Sequence, residues 1–445
     1  MNTGDTAWVL VSAALVLLMT PGLAFFYGGM TRAKGVLNMM MMSFGAIAVV
    51  GTLWVLFGYS MSFGRDTGGG IIGNPFQHFG LQGLLSTTTN VPLVGTIPEI
   101  VFVGFQGVFA IITVALITGA IADRAKFGAW LVFAAIWVTV VYFPVAHWVF
   151  DFNKDAAGNP IGGWIGQGLG VIDFAGGTAV HINAGAAALA LALIVGKRKG
   201  FGKDPTHRPH NLPFVMLGAG LLWFGWFGFN AGSALGANAV AGYAWINTLA
   251  APCAATLGWL LVERLRDGHA TSLGAASGAV AGLVAITPAC SAITPMWSLV
   301  LGLLAGVVCA LAVGLKYRLG FDDSLDVVGV HLVGGLFGTL FIGLAADPGS
   351  PAAGSGLFSG GGLELLGKQA IGAFAVMIYS FVIAYAIGWV VNKTMGFRIS
   401  SDHEAAGIDV SLHAETAYDF GGRSSGAFHP SPLPVPAPQP EKVDA

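Results

Sequence analysis

Charge is what this sequence lacks. Of its 445 residues only 9% are Asp, Glu, Lys or Arg, against 55% hydrophobic, whereas a soluble domain carries roughly a quarter charged residues. Water is thereby excluded as the solvent for most of the folded surface. The net charge is −2 and no basic stripe with interleaved aromatics occurs, so nucleic acid is not an expected partner. Cysteine is equally scarce. Cys253, Cys290 and Cys309 lie in or beside apolar segments without CxxC spacing, which excludes a thiol zinc site or redox pair and leaves them as small packing residues. The opening MNTGDT holds an acid and no Lys or Arg; without the basic n-region of a secretory signal, the apolar stretch from Ala7 is expected to be retained as a first membrane helix.

What is present is a series of apolar runs. Each of about 20 residues can cross a hydrocarbon core of roughly 30 Å, and eleven are read at 7–27, 38–59, 100–122, 128–149, 174–195, 212–229, 239–262, 273–288, 296–315, 327–345 and 372–391. The 67 glycines lie mostly within such runs, as in LGLLAGVVCALAVGL, where small residues allow close helix packing. The basic residues test the count, because short cytoplasmic loops are enriched in them. Seventeen of the twenty Lys and Arg follow odd-numbered spans or lie in the C-terminal tail; only Arg65, Lys154 and Lys368 fall on the other side. The expected architecture is therefore an all-α integral membrane protein of eleven transmembrane helices, N-terminus outside and C-terminus cytoplasmic.

Beyond the last span, residues 401–420 are polar with Ile408, Val410, Leu412 and Tyr418 spaced through them. That pattern suggests docking on the cytoplasmic face, with a solvated tail as the bland alternative. Residues 421–445 are Pro-rich and expected to be disordered. Residues 1–400 form the membrane domain on this reading.

Two spans echo each other. DFAGGTAVHINAG, Asp173 to Gly185, and DVVGVHLVGG, Asp326 to Gly335, each carry an Asp, a Val-His pair and a Gly four residues after the His. They lie five spans apart in opposite orientation, as an inverted five-plus-five repeat would place them, with halves at about 7–196 and 212–346 and a final helix at about 370–392. Such folds route substrate between the halves. His181 and His331 lie well inside apolar spans, where ionisable groups default to functional roles. One such His is as readily a buried residue bonded to backbone; two at equivalent places are not. A facing pair can share a proton, and without a third inward ligand the two make a poor zinc set. Asp173 and Asp326 head the two spans, where carboxylates cap helices and Asp173 could also help organise a cation site. Phe109 in GFQGVFAIIT and Phe229, four residues before Ser233 in WFGWFGFNAGSA, offer ring faces that attract a cation by roughly 0.5 to 2 kcal/mol and a hydroxyl acceptor. Core packing is the competing reading of each Phe.

Taken together, DFAGGTAVHINAG, WFGWFGFNAGSA, FQGVFAIITVALITGAIADR, DVVGVHLVGG and DHEAAGIDVSLHAETAYD resemble the ammonium transporter family, the Amt/Mep/Rh superfamily, and within it the bacterial Amt branch, from the first span to about Phe420. The resemblance implies a plasma-membrane homotrimer with a pore in each subunit that carries ammonium or ammonia, with methylammonium as analogue. It implies that His181 and His331 are the twin pore histidines, that Phe109 and Phe229 form a stacked gate, and that Ser233 and Thr287 belong to an external recruitment site. Trp226 would line the pore and Asp173 support the site. The family usually places a Trp shortly after an AHxV phrase; AHWVF puts Phe150 there, followed by the extra stretch DFNKDAAGNPIGGW, so either Phe150 or Trp164 completes the cage. A PII-type regulatory protein on the cytoplasmic face is an implied partner, and no cofactor is implied. The expected passage is recruitment of ammonium, deprotonation, and movement of ammonia past the Phe gate into an apolar twin-His pore, with a separate proton path left open. An ammonium sensor signalling through its tail is the alternative. An enzyme is not expected, since neither a nucleophile nor a full metal set is visible.

Overall fold

The computed structural model describes residues 1–84, 91–155, 157–203 and 208–418. The Pro-rich segment 421–445 and the last two residues of 401–420 lie outside the described residues. Among the described residues ten helices are long and apolar enough to cross a membrane: α1 Thr3–Met30, α2 Val36–Phe63, α3 Glu99–Ile121, α4 Phe127–Phe150, α5 Gly177–Val195, α6 Leu212–Gly232, α7 Ala239–Asp267, α9 Pro295–Leu319, α10 Val328–Ala345 and α11 Glu364–Thr394. Between α7 and α9 lies α8, Ser272–Ile286, apolar but only 15 residues long. At 1.5 Å per residue it falls short of a roughly 30 Å core. The sequence run 273–288 suggested a longer span, but hydrogen-bonded turns replace the helix from Thr287 to Ile293. The only sheet among the described residues is a two-stranded antiparallel ribbon, Leu93–Val94 with Ile97–Pro98, just before α3.

Helix α1 packs along α6, α7 between α8 and α9, and α11 against α5 and α10. The interior this encloses is apolar, and polar groups within it must be matched inside the chain. The starts of α5 and α10 show how. The Asp173 carboxylate accepts the backbone N–H groups of Gly176, Gly177, Thr178 and Ala179 at 2.6–3.2 Å, satisfying donors that the first turn of a helix leaves unpaired. At α10 the capping residue is not Asp326, which the sequence echo paired with Asp173. Asp323 accepts from Val327 and Val328 at 3.1 and 2.7 Å. Asp326 instead takes a left-handed backbone conformation and pairs with Lys316 at 2.6 Å. The repeated feature is thus an Asp eight residues before each His, not five.

Both helices open with a wide π-helical turn, Gly177–Ile182 and Val328–Leu332, that contains the His. The glycine four residues after each His lets the two helices meet there. A Cβ on Gly185 would lie 2.5 Å from the Leu332 backbone nitrogen, and one on Gly335 would lie 3.1 Å from His181 Cβ.

The loops at the basic end are knitted together by buried ion pairs. Arg124, wholly buried, donates to the carbonyls of Ala120, Ala122, Gly196 and Asp322. Arg198 binds Asp322 through both Nε and Nη2 at 2.9 Å. Burial alone would raise the Asp322 carboxyl, but Arg198 and Arg124 hold it below its usual value. Over this face fold α12, Ser401–Ala406, and α13, Ile408–His413. Asp409 accepts the N–H groups of Leu37 and Asn38 at the start of α2 at 3.0 and 2.8 Å, Glu404 pairs with Arg398 at 2.7 Å, and Tyr418 meets His210 at 2.8 Å. The tail is docked on its own chain rather than solvated.

Replacing Gly185 with Val drives a branched side chain into the α10 backbone and is expected to cost about 1–3 kcal/mol, seen as a lowered thermal midpoint of the purified protein. Gly104→Ala, where no atom lies within 4 Å of the added Cβ, should leave the midpoint in place.

Candidate functional site

The two histidines meet. His181 Nδ1 lies 3.2 Å from His331 Nδ1, and the rings are stacked with centroids 5.3 Å apart. For neutral rings one Nδ1–H donates and the other Nδ1 accepts, so the rings occupy opposite tautomers. One Nε2 then presents a hydrogen and the other a lone pair. His181 Nε2 has no hydrogen-bond partner among the described residues and adjoins a cavity of about 10 Å³ lined by both histidines, Trp226, Phe229, Leu23 and Ile112. That volume holds roughly one molecule the size of water.

The other predicted residues fall around this pair. Trp226 stacks on His181 at 5.4 Å, and its indole N–H donates to Thr287 Oγ1 at 2.8 Å. Thr287 is fully buried and passes its own hydroxyl hydrogen to Leu283 O at 2.7 Å. It orients Trp226 and is absent from the lining of the pocket described next. Phe109 and Phe229 meet at 4.3 Å between centroids, tilted by 38°. Both are buried; Phe229 lines the histidine cavity and Phe109 a second pocket of about 120 Å³, so the ring pair lies between the two.

That pocket is lined by Phe109, Phe102, Gln106, Phe150, Phe174 and Ser233, with Phe152 at its rim. Ser233 Oγ donates to Phe229 O at 2.8 Å, leaving its lone pairs free to accept. Of the two aromatics left open by the sequence, Phe150 lines the pocket. Trp164 does not; it packs on Trp148 at 5.7 Å between centroids. Gln106, Phe102 and Phe174 were missed in the sequence. Gln106 precedes Phe109 by three residues, one helical turn, and that spacing was the available signal. Asp173 reaches neither pocket and acts on the backbone of α5.

The family model of the Ammonium Transporter Family matches residues 7–418. The chain belongs to the ammonium transporter family. It is 60% identical to an ammonium transporter of Mycobacterium tuberculosis, over 96% of this chain and 92% of that one, and 45% identical to the ammonium transporter of Bacillus subtilis, over 94% and 99%. Among solved structures, Candida albicans Mep2 superposes with a TM-score of 0.80 at 34% identity, covering 91% of this chain and 88% of that one. With ten long apolar helices, this member of the family is a multi-pass membrane protein.

The geometry separates the two aromatics. Phe150→Ala is expected to raise the KM for methylammonium uptake several-fold, since a ring face is worth roughly 0.5–2 kcal/mol to a cation, while Trp164→Ala should leave KM close to wild type. Thr287→Val strands the buried Trp226 N–H and is expected to cost about 1–3 kcal/mol of stability, read by thermal unfolding.

Proposed function

We propose that this transporter carries ammonium across the plasma membrane by capturing the ion at the aromatic pocket and passing ammonia through the histidine cavity. The observation that carries this reading is the His181–His331 contact at 3.2 Å in an apolar enclosure beneath the Phe109–Phe229 pair. A bare charge at the centre of a bilayer costs roughly 2.5–3.5 kcal/mol even on lenient scales, and the enclosure offers no carboxylate to offset that. Ammonium can shed its charge by losing a proton; potassium cannot. The neutral molecule left behind is both donor and acceptor, matching the Nε2–H and bare Nε2 of a tautomeric pair. The same pair can relay the released proton while uncharged overall, so a separate proton path is compatible with the site.

The remaining features follow from this reading. The aromatic pocket is external and the basic face cytoplasmic, consistent with the enrichment of Lys and Arg in cytoplasmic loops; the N-terminus is then outside and the C-terminus inside, with eleven crossings when α8 and the turns from Thr287 to Ile293 that follow it are taken as one. The two capped, π-turned histidine helices support an inverted repeat of spans 1–5 and 6–10, with α11 outside it. The family likeness supports a homotrimer and a PII-type partner on the face covered by α12 and α13. The named relatives are transporters, which supports transport rather than catalysis.

Radiolabelled methylammonium uptake with simultaneous current recording in proteoliposomes tests the proposal. Uptake saturating with substrate and unaffected by potassium is expected, and the His181→Ala, His331→Ala double variant should lose most of the rate or its selectivity against potassium. A correctly inserted double variant with unaltered rate, current and selectivity would refute the role of the pair. Pull-down with the cognate PII protein under varied effector conditions checks the partner; absence of binding under all of them removes it.

A further inference from the structure

A further histidine, unused by the pathway above, lies three residues before Phe150 of the aromatic pocket in a setting that fixes its protons. His147 on α4 is wholly buried. Its Nδ1 lies 3.1 Å from the backbone oxygen of Ser62 and its Nε2 lies 3.1 Å from Asp66 Oδ1. A backbone carbonyl only accepts, so Nδ1 carries a hydrogen. A neutral ring then presents a bare lone pair at Nε2, and an ionised carboxylate also only accepts. Two acceptors cannot share a 3.1 Å contact. The pair therefore holds one proton more than a neutral ring and an ionised Asp66 would, residing between Nε2 and Oδ1.

A third group faces the same ring. Asp151, four residues after His147, is almost fully buried; its Oδ1 accepts from Asn153 N–H at 3.3 Å, while Oδ2 stands 3.6 Å from His147 Nδ1 and has no hydrogen-bond partner among the described residues. Burial pushes this carboxyl up to about 7, with the Asn153 N–H opposing and Asp66 adding to the rise. Among the described residues no other charged side chain answers it directly. Arg65 and Lys154 are exposed, the 162–163 segment brings only backbone, and from α2 and α3 the nearest titratable groups are Tyr59 and Glu99, joined to each other at 2.6 Å. No set of three or more His, Cys, Asp or Glu able to hold a metal is present among the described residues, so the occupant this cluster fits is a proton. Asp151 stands in the chain between Phe150 and Phe152, both of which line the aromatic pocket.

We propose that Asp66, His147 and Asp151 form a proton-binding site adjoining Phe150 of the aromatic pocket, and that its charge tunes ammonium capture there. This rests on the transport reading given above. The sign follows from Asp151. Above a pH of about 7 it is ionised and adds a negative charge on the residue between Phe150 and Phe152 of the pocket, favouring a cation; below, it is neutral. Methylammonium, an alkylamine like the lysine side chain, stays protonated throughout this range, so the substrate itself does not change.

The test is methylammonium uptake into proteoliposomes at pH 6 and pH 8 on the aromatic side, for the wild type and Asp151→Asn, joined to spectroscopy of the purified full-length protein. For the wild type KM should fall roughly threefold to tenfold from pH 6 to pH 8, the effect lying in KM rather than in maximal rate. Asp151→Asn should show no such fall and stay near the acidic value. A wild-type KM that does not change with pH, or a variant that keeps the wild-type dependence, overturns the proposal; a wild type that carries no methylammonium at either pH refutes transport itself. Independently of transport, the wild type at pH 8 should show either a doubly protonated His147 ring by ¹⁵N resonance, assigned with His147→Gln, or a carboxylic-acid infrared band that Asp66→Asn removes, and Asp66→Asn should abolish whichever is present. A singly protonated ring with no Asp66-dependent carboxylic-acid band at pH 8 overturns the proton site without reference to activity.

Discussion

The apolar interior of this bundle penalises every unmatched polar group, and much of the structure follows from that constraint. An unpaired donor or acceptor away from water costs about 1–3 kcal/mol, and more when charged. Several of the buried polar side chains are accordingly spent on the chain itself. Asp173 is consumed by four backbone N–H groups, Trp226 by Thr287, and Arg124 by four carbonyls. Among the buried polar atoms of the described residues that lack a partner, His181 Nε2 is the one whose residue lines the central cavity, where a small hydrogen-bonding molecule would supply the missing contact.

Holding two imidazoles together inside an apolar enclosure requires that their helices approach closely and begin at fixed depth. The approach comes from Gly185 and Gly335, each facing the opposing histidine helix with no side chain to keep it away. The depth comes from the two capping carboxylates, Asp173 and Asp323, each eight residues before its histidine. The first turns widen into π geometry, which is frequent at functional sites. Cap, histidine and glycine thus form one unit, used twice.

Much of this was legible in the sequence because it is carried by one-dimensional signals. The spans follow from runs of apolar residues, and their order from the alternation of Lys and Arg. His181 and His331 stood out because an ionisable group in such a run is costly. What escaped was set by three-dimensional contact. Asp326 matched Asp173 in the local phrase, yet the polypeptide between Leu319 and Val328 turns so that Asp323 reaches the helix start and Asp326 faces Lys316. The choice between Phe150 and Trp164 depended on how the segment after α4 folds back; Trp164 is drawn away onto Trp148. Thr287, grouped with the recruitment residues by resemblance, is buried as the support of Trp226 because α8 ends one residue before it. Gln106 carried no signal apart from helical spacing.

The two ends of the pathway differ in a way that bears on where capture can occur. The pocket beyond Phe109 and Phe229 is small, about 120 Å³, and its walls are rings, an amide and a hydroxyl without a cationic group. The cavities at the opposite end are larger, about 420 and 960 Å³, and are bordered by Arg198, Lys203, Arg208 and Lys316 in one and by Arg32, Lys34, Lys199 and Arg208 in the other. Asp326 and Glu404 are the carboxylates among those walls, and both are already engaged, with Lys316 and Arg398. A cation approaching from the basic end meets walls in which basic side chains outnumber carboxylates, whereas one approaching from the aromatic end meets rings and a hydroxyl oxygen with no basic side chain among them. The apolar enclosure treats a neutral molecule alike from either side. On the transport reading proposed above, selection of a cation belongs to the aromatic end.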